Sequence, residues 1–494
     1  MADDTIFLGK SGKDEVLYLG LANRHGLITG ATGTGKTVTL QIMAEGFCAA
    51  GVPVFAADVK GDLSGIAAKG EPKDFLVERA KKIGMKEYDF AATPTVFWDL
   101  FGEQGHPIRT TISEMGPLML SRLMGLTEAQ EGALNIAFKI ADEEGLGLLD
   151  LKDLRALLKD LADRGKEITT DYGNINDQTI GAIQRRLVVI EEQGGDKFFG
   201  EPALDIKDLM RTTRDGRGYM NVLAADKLIN APQLYATFLL WLMSELFEEL
   251  PEVGDPEKPK MVFFFDEAHL LFADAPPGLL QKVEQTVKLI RSKGIGIYFV
   301  TQNPLDIPES VLAQMGNRVQ HALRAYTPRE QKAVQVAATT FRPNPKFKTQ
   351  DAITELGKGE ALISVLDPKG VPTMVERTLI RPPSSKLGPI DAAERATLIK
   401  NSPVAGQYED AVDRESAYEK LSGKARKRAV VQEEEKRTKA EAKAERAAPR
   451  ERESATDRFV KNAASSVGRT LGSQVARSIG NALVRGILGS LTRR

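Results

Sequence analysis

Residues 30–37 read GATGTGKT, directly after the apolar stretch Gly26-Leu27-Ile28-Thr29 and directly before a helix-like segment from Val38 to Ala49. The octet fits G-x-x-x-x-G-K-[ST] in the strand–loop–helix setting that the pattern requires. Gly30, Gly33 and Gly35 let the backbone wrap closely enough to turn successive N–H groups toward phosphate oxygens. The following helix adds the positive end of its dipole. The candidate nucleotide-binding residues are therefore Gly30, Ala31, Thr32, Gly33, Thr34, Gly35, Lys36, Thr37 and Val38. Lys36 is suited to bridging the β- and γ-phosphates of ATP, and the Thr37 hydroxyl to ligating Mg²⁺. A chance glycine-rich turn is the bland alternative, but it would not account for both flanking elements.

A second apolar run, Met261-Val262-Phe263-Phe264-Phe265, delivers Asp266 and Glu267 to its end. Alone this is weak, since many strands end in acids. Beside the loop at 30–37 it supplies what hydrolysis needs: Asp266 to hold Mg²⁺ opposite Thr37, and Glu267 to orient and activate the attacking water. A strand at 219–224 is expected to intervene between the two motifs, as in ATPases that use a catalytic glutamate. The next run, Ile297 to Thr301, ends in Gln302, whose amide can reach the γ-phosphate. Between them a helix from about Pro277 to Lys293 is expected, with Leu279, Leu280, Val283, Val287 and Ile290 as its buried stripe and Gly294 as its stop. Arg291 falls in its last turn, where the plain reading is compensation of the helix dipole.

The chain has 494 residues, enough for a large core and more than one domain. Lys and Arg number 67 against 68 Asp and Glu, so any affinity for nucleic acid or membrane must come from local asymmetry. The single cysteine, Cys48, excludes an internal disulfide and a multi-cysteine metal site. The opening MADDTIFLGK lacks a basic region followed by an apolar core, so no signal peptide is expected and the cytosol is the expected location.

Along the chain, residues 5–21 read as a hairpin and 52–57 as a strand. Residues 108–215 read as an all-α insertion, with helices at about 128–144, 151–162 and 177–192. Further strands are expected at 319–324 and 361–366. Near-continuous apolar runs alternating with helices indicate an α/β fold with a mainly parallel sheet covered on both faces. The body is expected to span 1–380. Pro382-Pro383-Ser384-Ser385 opens a linker, and residues 381–457 read as charged linker or exposed helix.

GATGTGKT, DVKGD at 58–62, FFFDEAH at 263–269, RSKGIGIYFVTQNP at 291–304 and GNRVQHALRAYTP at 316–328 resemble the HerA–FtsK group of P-loop ATPases. More narrowly, the chain resembles the helicase HerA-like bacterial family over nearly its whole length. The resemblance implies a RecA-like core, a homo-oligomer that is a hexameric ring, and ATP-driven movement along DNA. It also implies that an arginine at the position of Arg291 reaches the neighbouring subunit's nucleotide, with Arg318 and Arg324 as further candidates. The β-barrel of HerA helicases and the winged helix of FtsK-type pumps are not legible here.

Residues 458–494 carry no acid. Arg469, Arg477, Arg485 and Arg493 recur every eight positions, and Val467, Leu471, Val475, Ile479, Leu483 and Ile487 every four. A basic amphipathic helix is expected there, suited to a membrane surface, to nucleic-acid phosphates, to sister subunits or to the body itself. The functional classes left open are an ATP-driven DNA motor and an ATPase that remodels protein partners.

Overall fold

The structure, a computed structural model, describes residues 4–165, 172, 176–272 and 277–447. The expected basic helix at 458–494 lies outside them. Twelve strands form one sheet: β1 Thr5–Lys10, β2 Asp14–Tyr18, β3 Gly26–Thr29, β4 Val54–Asp58, β5 Thr95–Asp99 and β6 His106–Pro107. They are followed by β7 Met220–Ala224, β8 Met261–Phe265, β9 Ile295–Thr301, β10 Asn317–Gln320, β11 Glu360–Ser364 and β12 Glu376–Ile380. Their spatial order is β2-β1-β12-β11-β10-β3-β9-β8-β4-β7-β5-β6. From β10 to β6 every neighbouring pair is parallel, while β10–β11, β11–β12, β12–β1 and β1–β2 are antiparallel.

The strands are buried on both faces, and alternation sends their side chains to two separate cores. Phe263 and Phe265 of β8 join Phe55, Trp98, Ile297 and Phe299 on one face. Val262 and Phe264 join Val54, Ile28, Tyr298 and Val300 on the other, under helix α1 (Lys36–Ala49). The first core is completed by the expected helical insertion: α2 (Ile112–Met124), α3 (Glu128–Glu143), α4 (Leu151–Asp163) and α5 (Asp177–Ile190). Thr111 and Asp150 accept first-turn amides at the starts of α2 and α4, satisfying donors that a helix start leaves open. Leu154, Leu157, Leu158 and Leu161 are all buried on α4, as their spacing requires. Helices α6 (Pro232–Glu249) and α7 (Pro277–Ile290) lie on the same face.

Two strand expectations are corrected. The strand at 219–224, here β7, does not intervene between the loop strand and the acidic strand; β9 does, with β7 on the far side of β4. The strand expected at 319–324 is β10, Asn317–Gln320. It starts earlier because Asn317 is buried, with its amide donating to Leu21 and His25 carbonyls at 3.2 and 3.1 Å.

The chain divides into two compact units, Met1–Ser422 and Gly423–Arg494. Residues 382–385, a linker by composition, thus belong to the first. Ser384 and Ser385 amides donate to the Glu45 carboxylate at 3.1 and 2.9 Å, and Arg381 pairs with it at 3.1 Å. In the second unit the described residues are helical. No helix among the described residues is long and apolar enough to cross a membrane.

Candidate active site

Parallel pairing aligns the tips of β3, β9, β8 and β4 along one edge of the sheet, since Thr29 registers with Thr301, Phe299 with Phe265, and Phe265 with Ala57. The residues that follow those tips are therefore neighbours: Gly30, Gln302, Asp266 with Glu267, and Asp58 to Asp62. Four distant stretches of sequence meet there.

The loop at 30–37 is held from its β10 side. Ala31 N–H donates to Ala322 O at 2.8 Å, and Gly359 N–H donates to Thr34 O at 3.1 Å. His321 backs it, with one ring nitrogen 2.8 Å from Thr39 Oγ1 and the other 2.9 Å from Glu360 O. Gly30 has φ +153°, and a Cβ there would stand 2.5 Å from the Cβ of His321. Gly33 has φ +77°, in the region that only glycine enters freely. Lys36 is buried and donates to Gly30 O at 2.7 Å and Ala31 O at 3.3 Å, so its ammonium curls back over the loop. Burial, and then the charge of Lys60, hold its pKa below the ordinary lysine value. Thr37 sits in the first turn of α1.

Asp266 is buried, and burial together with the adjacent Glu267 charge pushes its carboxyl up to about 6. Burial and the nearby Asp62 push Asp58 up to about 7. Buried carboxyls displaced in this way are restored to the charged form by a cation. The donors fit Mg²⁺, which takes few protein oxygens and completes its shell with phosphate and water. No group of three or more His, Cys, Asp or Glu that could hold a metal occurs among the described residues.

Glu267 is buried and takes a left-handed φ of 47°, uncommon for a residue with a Cβ. Gln302 Nε2 donates to its two oxygens at 3.1 and 3.3 Å, and Gln302 Oε1 accepts from Thr32 Oγ1 at 3.0 Å. Lys60 Nζ is paired with the same carboxylate, and His269 Nδ1 lies 3.3 Å from it. Burial would raise the Glu267 pKa, but Lys60, Gln302 and His269 outweigh it and hold it below the usual glutamate value.

The structure thus brings Lys36, Asp266, Glu267 and Gln302 to one edge and leaves Arg291 at the other. Arg291 follows α7 in a separate tight turn, Arg291–Lys293, just before β9 starts. The seven residues of β9 separate it from Gln302 by about 20 Å. Its side chain is 40% exposed and pairs with Asp255 at 3.4 Å, which Arg24 also meets at 3.3 Å. Arg318 is engaged within the chain, donating to Leu312 O and Met315 O at 2.8 and 3.0 Å. Arg324 is exposed. Lys60 and His321 carry no expected role from sequence; the signal for Lys60 was its place in DVKGD, just past a strand tip.

The family described as helicase HerA-like C-terminal matches residues 4–494. In fold, the chain is similar to VirB4 of Thermoanaerobacter pseudethanolicus, at 18% identity and a TM-score of 0.50, covering 76% of this chain and 96% of that one. The bacterial conjugative coupling protein TrwB (unbound monoclinic form) aligns at 14% identity and a TM-score of 0.49, over 77% and 92%. No curated protein matches the chain. The match over residues 4–494 and the RecA-like sheet bearing this loop lead to one assignment: the chain belongs to the helicase HerA-like C-terminal family and is a P-loop ATPase.

Proposed function

We propose that the protein hydrolyses ATP with Mg²⁺ at the edge formed by β3, β9 and β8, and couples the cycle to movement along DNA as a ring of identical subunits, a hexamer. The observation that carries the hydrolytic part is the convergence of Lys36, Asp266, Glu267 and Gln302 on adjacent strand tips. The helicase-like family supports the DNA part.

In this reading Lys36 exchanges its acceptors, Gly30 O and Ala31 O, for β- and γ-phosphate oxygens. The Thr37 hydroxyl and the Asp266 carboxylate would hold Mg²⁺, which would supply charge neutralisation to the phosphates. Glu267 takes a proton from the water it orients, and Gln302 lies between that carboxylate and Thr32 of the loop, placed to respond to the γ-phosphate. Arg291 stands too far from its own site to touch the same nucleotide. Its place on the opposite edge fits a contact to a neighbouring subunit's γ-phosphate.

The test is ATP hydrolysis without DNA, with single-stranded DNA and with double-stranded DNA, on protein whose native mass is measured. Stimulation by either form in an oligomer is the expected result. Equal rates in all three would remove DNA as the substrate and leave an ATPase acting on protein partners.

A further inference from the structure

Lys60 has no part in the hydrolytic reading above, yet its ammonium is paired with the Glu267 carboxylate. A group that takes a proton from water must present a free lone pair. Here the Glu267 carboxylate is enclosed by donors: the Lys60 ammonium on Oε1, the Gln302 amide on both oxygens, and His269 beside Oε2. Its backbone is also held left-handed. This is a restrained carboxylate.

The restraint has a second seat. Asp62 lies two residues along the same loop, its charge acts on Lys60, and its Oδ1 is buried without a hydrogen-bond partner among the described residues. Lys60 is 39% exposed, so its ammonium has room to swing. The restraint is also linked to the nucleotide loop, because Gln302 Oε1 is held by Thr32 at 3.0 Å. A γ-phosphate arriving at that loop competes for both Thr32 and Gln302 and loosens one side of the enclosure.

We propose that Lys60 is a positioning residue that holds Glu267 away from water until nucleotide fills the loop, and that it then passes to Asp62. The proposal rests on the reading of Glu267 as the water-activating group. Two arrangements of one side chain, each with its own acceptor, make a two-state element that nucleotide binding can bias.

The experiment compares wild type with Lys60→Met, Lys60→Arg, Asp62→Asn and Glu267→Gln. Steady-state ATP hydrolysis is measured together with the Kd of a fluorescent ATP analogue. Without its restraint, Lys60→Met should raise kcat roughly two- to fivefold, the population shift that a partly exposed ion pair can hold, and should tighten the Kd by no more than the same factor, because nucleotide no longer has to displace the restraint. Lys60→Arg should stay near wild type. Asp62→Asn should lower kcat, because Lys60 loses the seat it moves to. A kcat in Lys60→Met at or below wild type overturns the proposal. Should that variant not fold, an unchanged or raised kcat in Asp62→Asn overturns it instead. If Glu267→Gln turns over like wild type, the hydrolytic reading itself fails; if it is inactive while Lys60→Met is no faster, only the restraint fails.

Discussion

His25 and His321 are two buried imidazoles that tie the loop strand to its surroundings. Ile297 N–H donates to His25 Nδ1 at 3.0 Å, so the ring carries its proton on Nε2, which donates to Val287 O at 2.9 Å. His25 also takes φ 57° immediately before β3, where the chain turns in from Arg24. Burial holds both rings well below the ordinary histidine value, at about 4. In the unfolded chain they would protonate near 6.5. Their neutrality therefore contributes stability that is fully present above about pH 6.5 and lost as pH falls toward 4, up to about 3 kcal/mol per ring. Asp58 and Asp266 act with the opposite sign, since their pKa values are raised in the fold. The histidine contribution is thus read from the rings themselves. In histidine-labelled protein, two imidazole resonances should stay unshifted down to about pH 5, and titration of both rings near 6.5 would contradict the burial.

At the scale of elements, β3, the loop and α1 were legible because one octet specifies all three. So were the helices of the insertion, whose leucines recur at helical spacing. Helix α4 is the clearest case, and its burial predicts a cost: Leu158→Ala should lower stability by about 2–5 kcal/mol in urea unfolding while leaving ATP-analogue affinity unchanged. An unchanged unfolding midpoint would mean that the α4 stripe is not core. Strand β12 (ERTLI) was not legible, because only Thr378 and Ile380 are buried and it is recognised by pairing with β11 and β1. Strand β5 (TVFWD) is apolar enough but ends in Asp99, whose carboxylate binds the Phe101, Glu103 and Gln104 amides and reads locally as a turn. The place of β9 could not be read at all, since sequence order does not show that β4 crosses past two positions that later strands fill. The charged partner of Glu267 was hidden for the same reason: Lys60 and Glu267 are 207 residues apart.

At the scale of the whole molecule, Arg291 lies at the opposite end of β9 from Gln302, and in the proposed ring it would serve a neighbouring subunit's nucleotide. Arg291→Ala should therefore cost a factor on the order of 10³ to 10⁵ in kcat. An equimolar mixture with Glu267→Gln protein should recover part of the activity, because some interfaces then pair an intact arginine with an intact glutamate. No recovery, with subunit exchange shown by mass, would place Arg291 outside the reaction. All of this depends on hydrolysis at the β3–β9–β8 edge, which one measurement tests most directly: ATP turnover and ATP affinity on the same preparation of Glu267→Gln. Affinity should equal wild type, since Lys36, Thr37 and Asp266 are untouched, and turnover should fall by a factor on the order of 10² to 10⁴. Turnover at the wild-type rate would contradict hydrolysis at that edge.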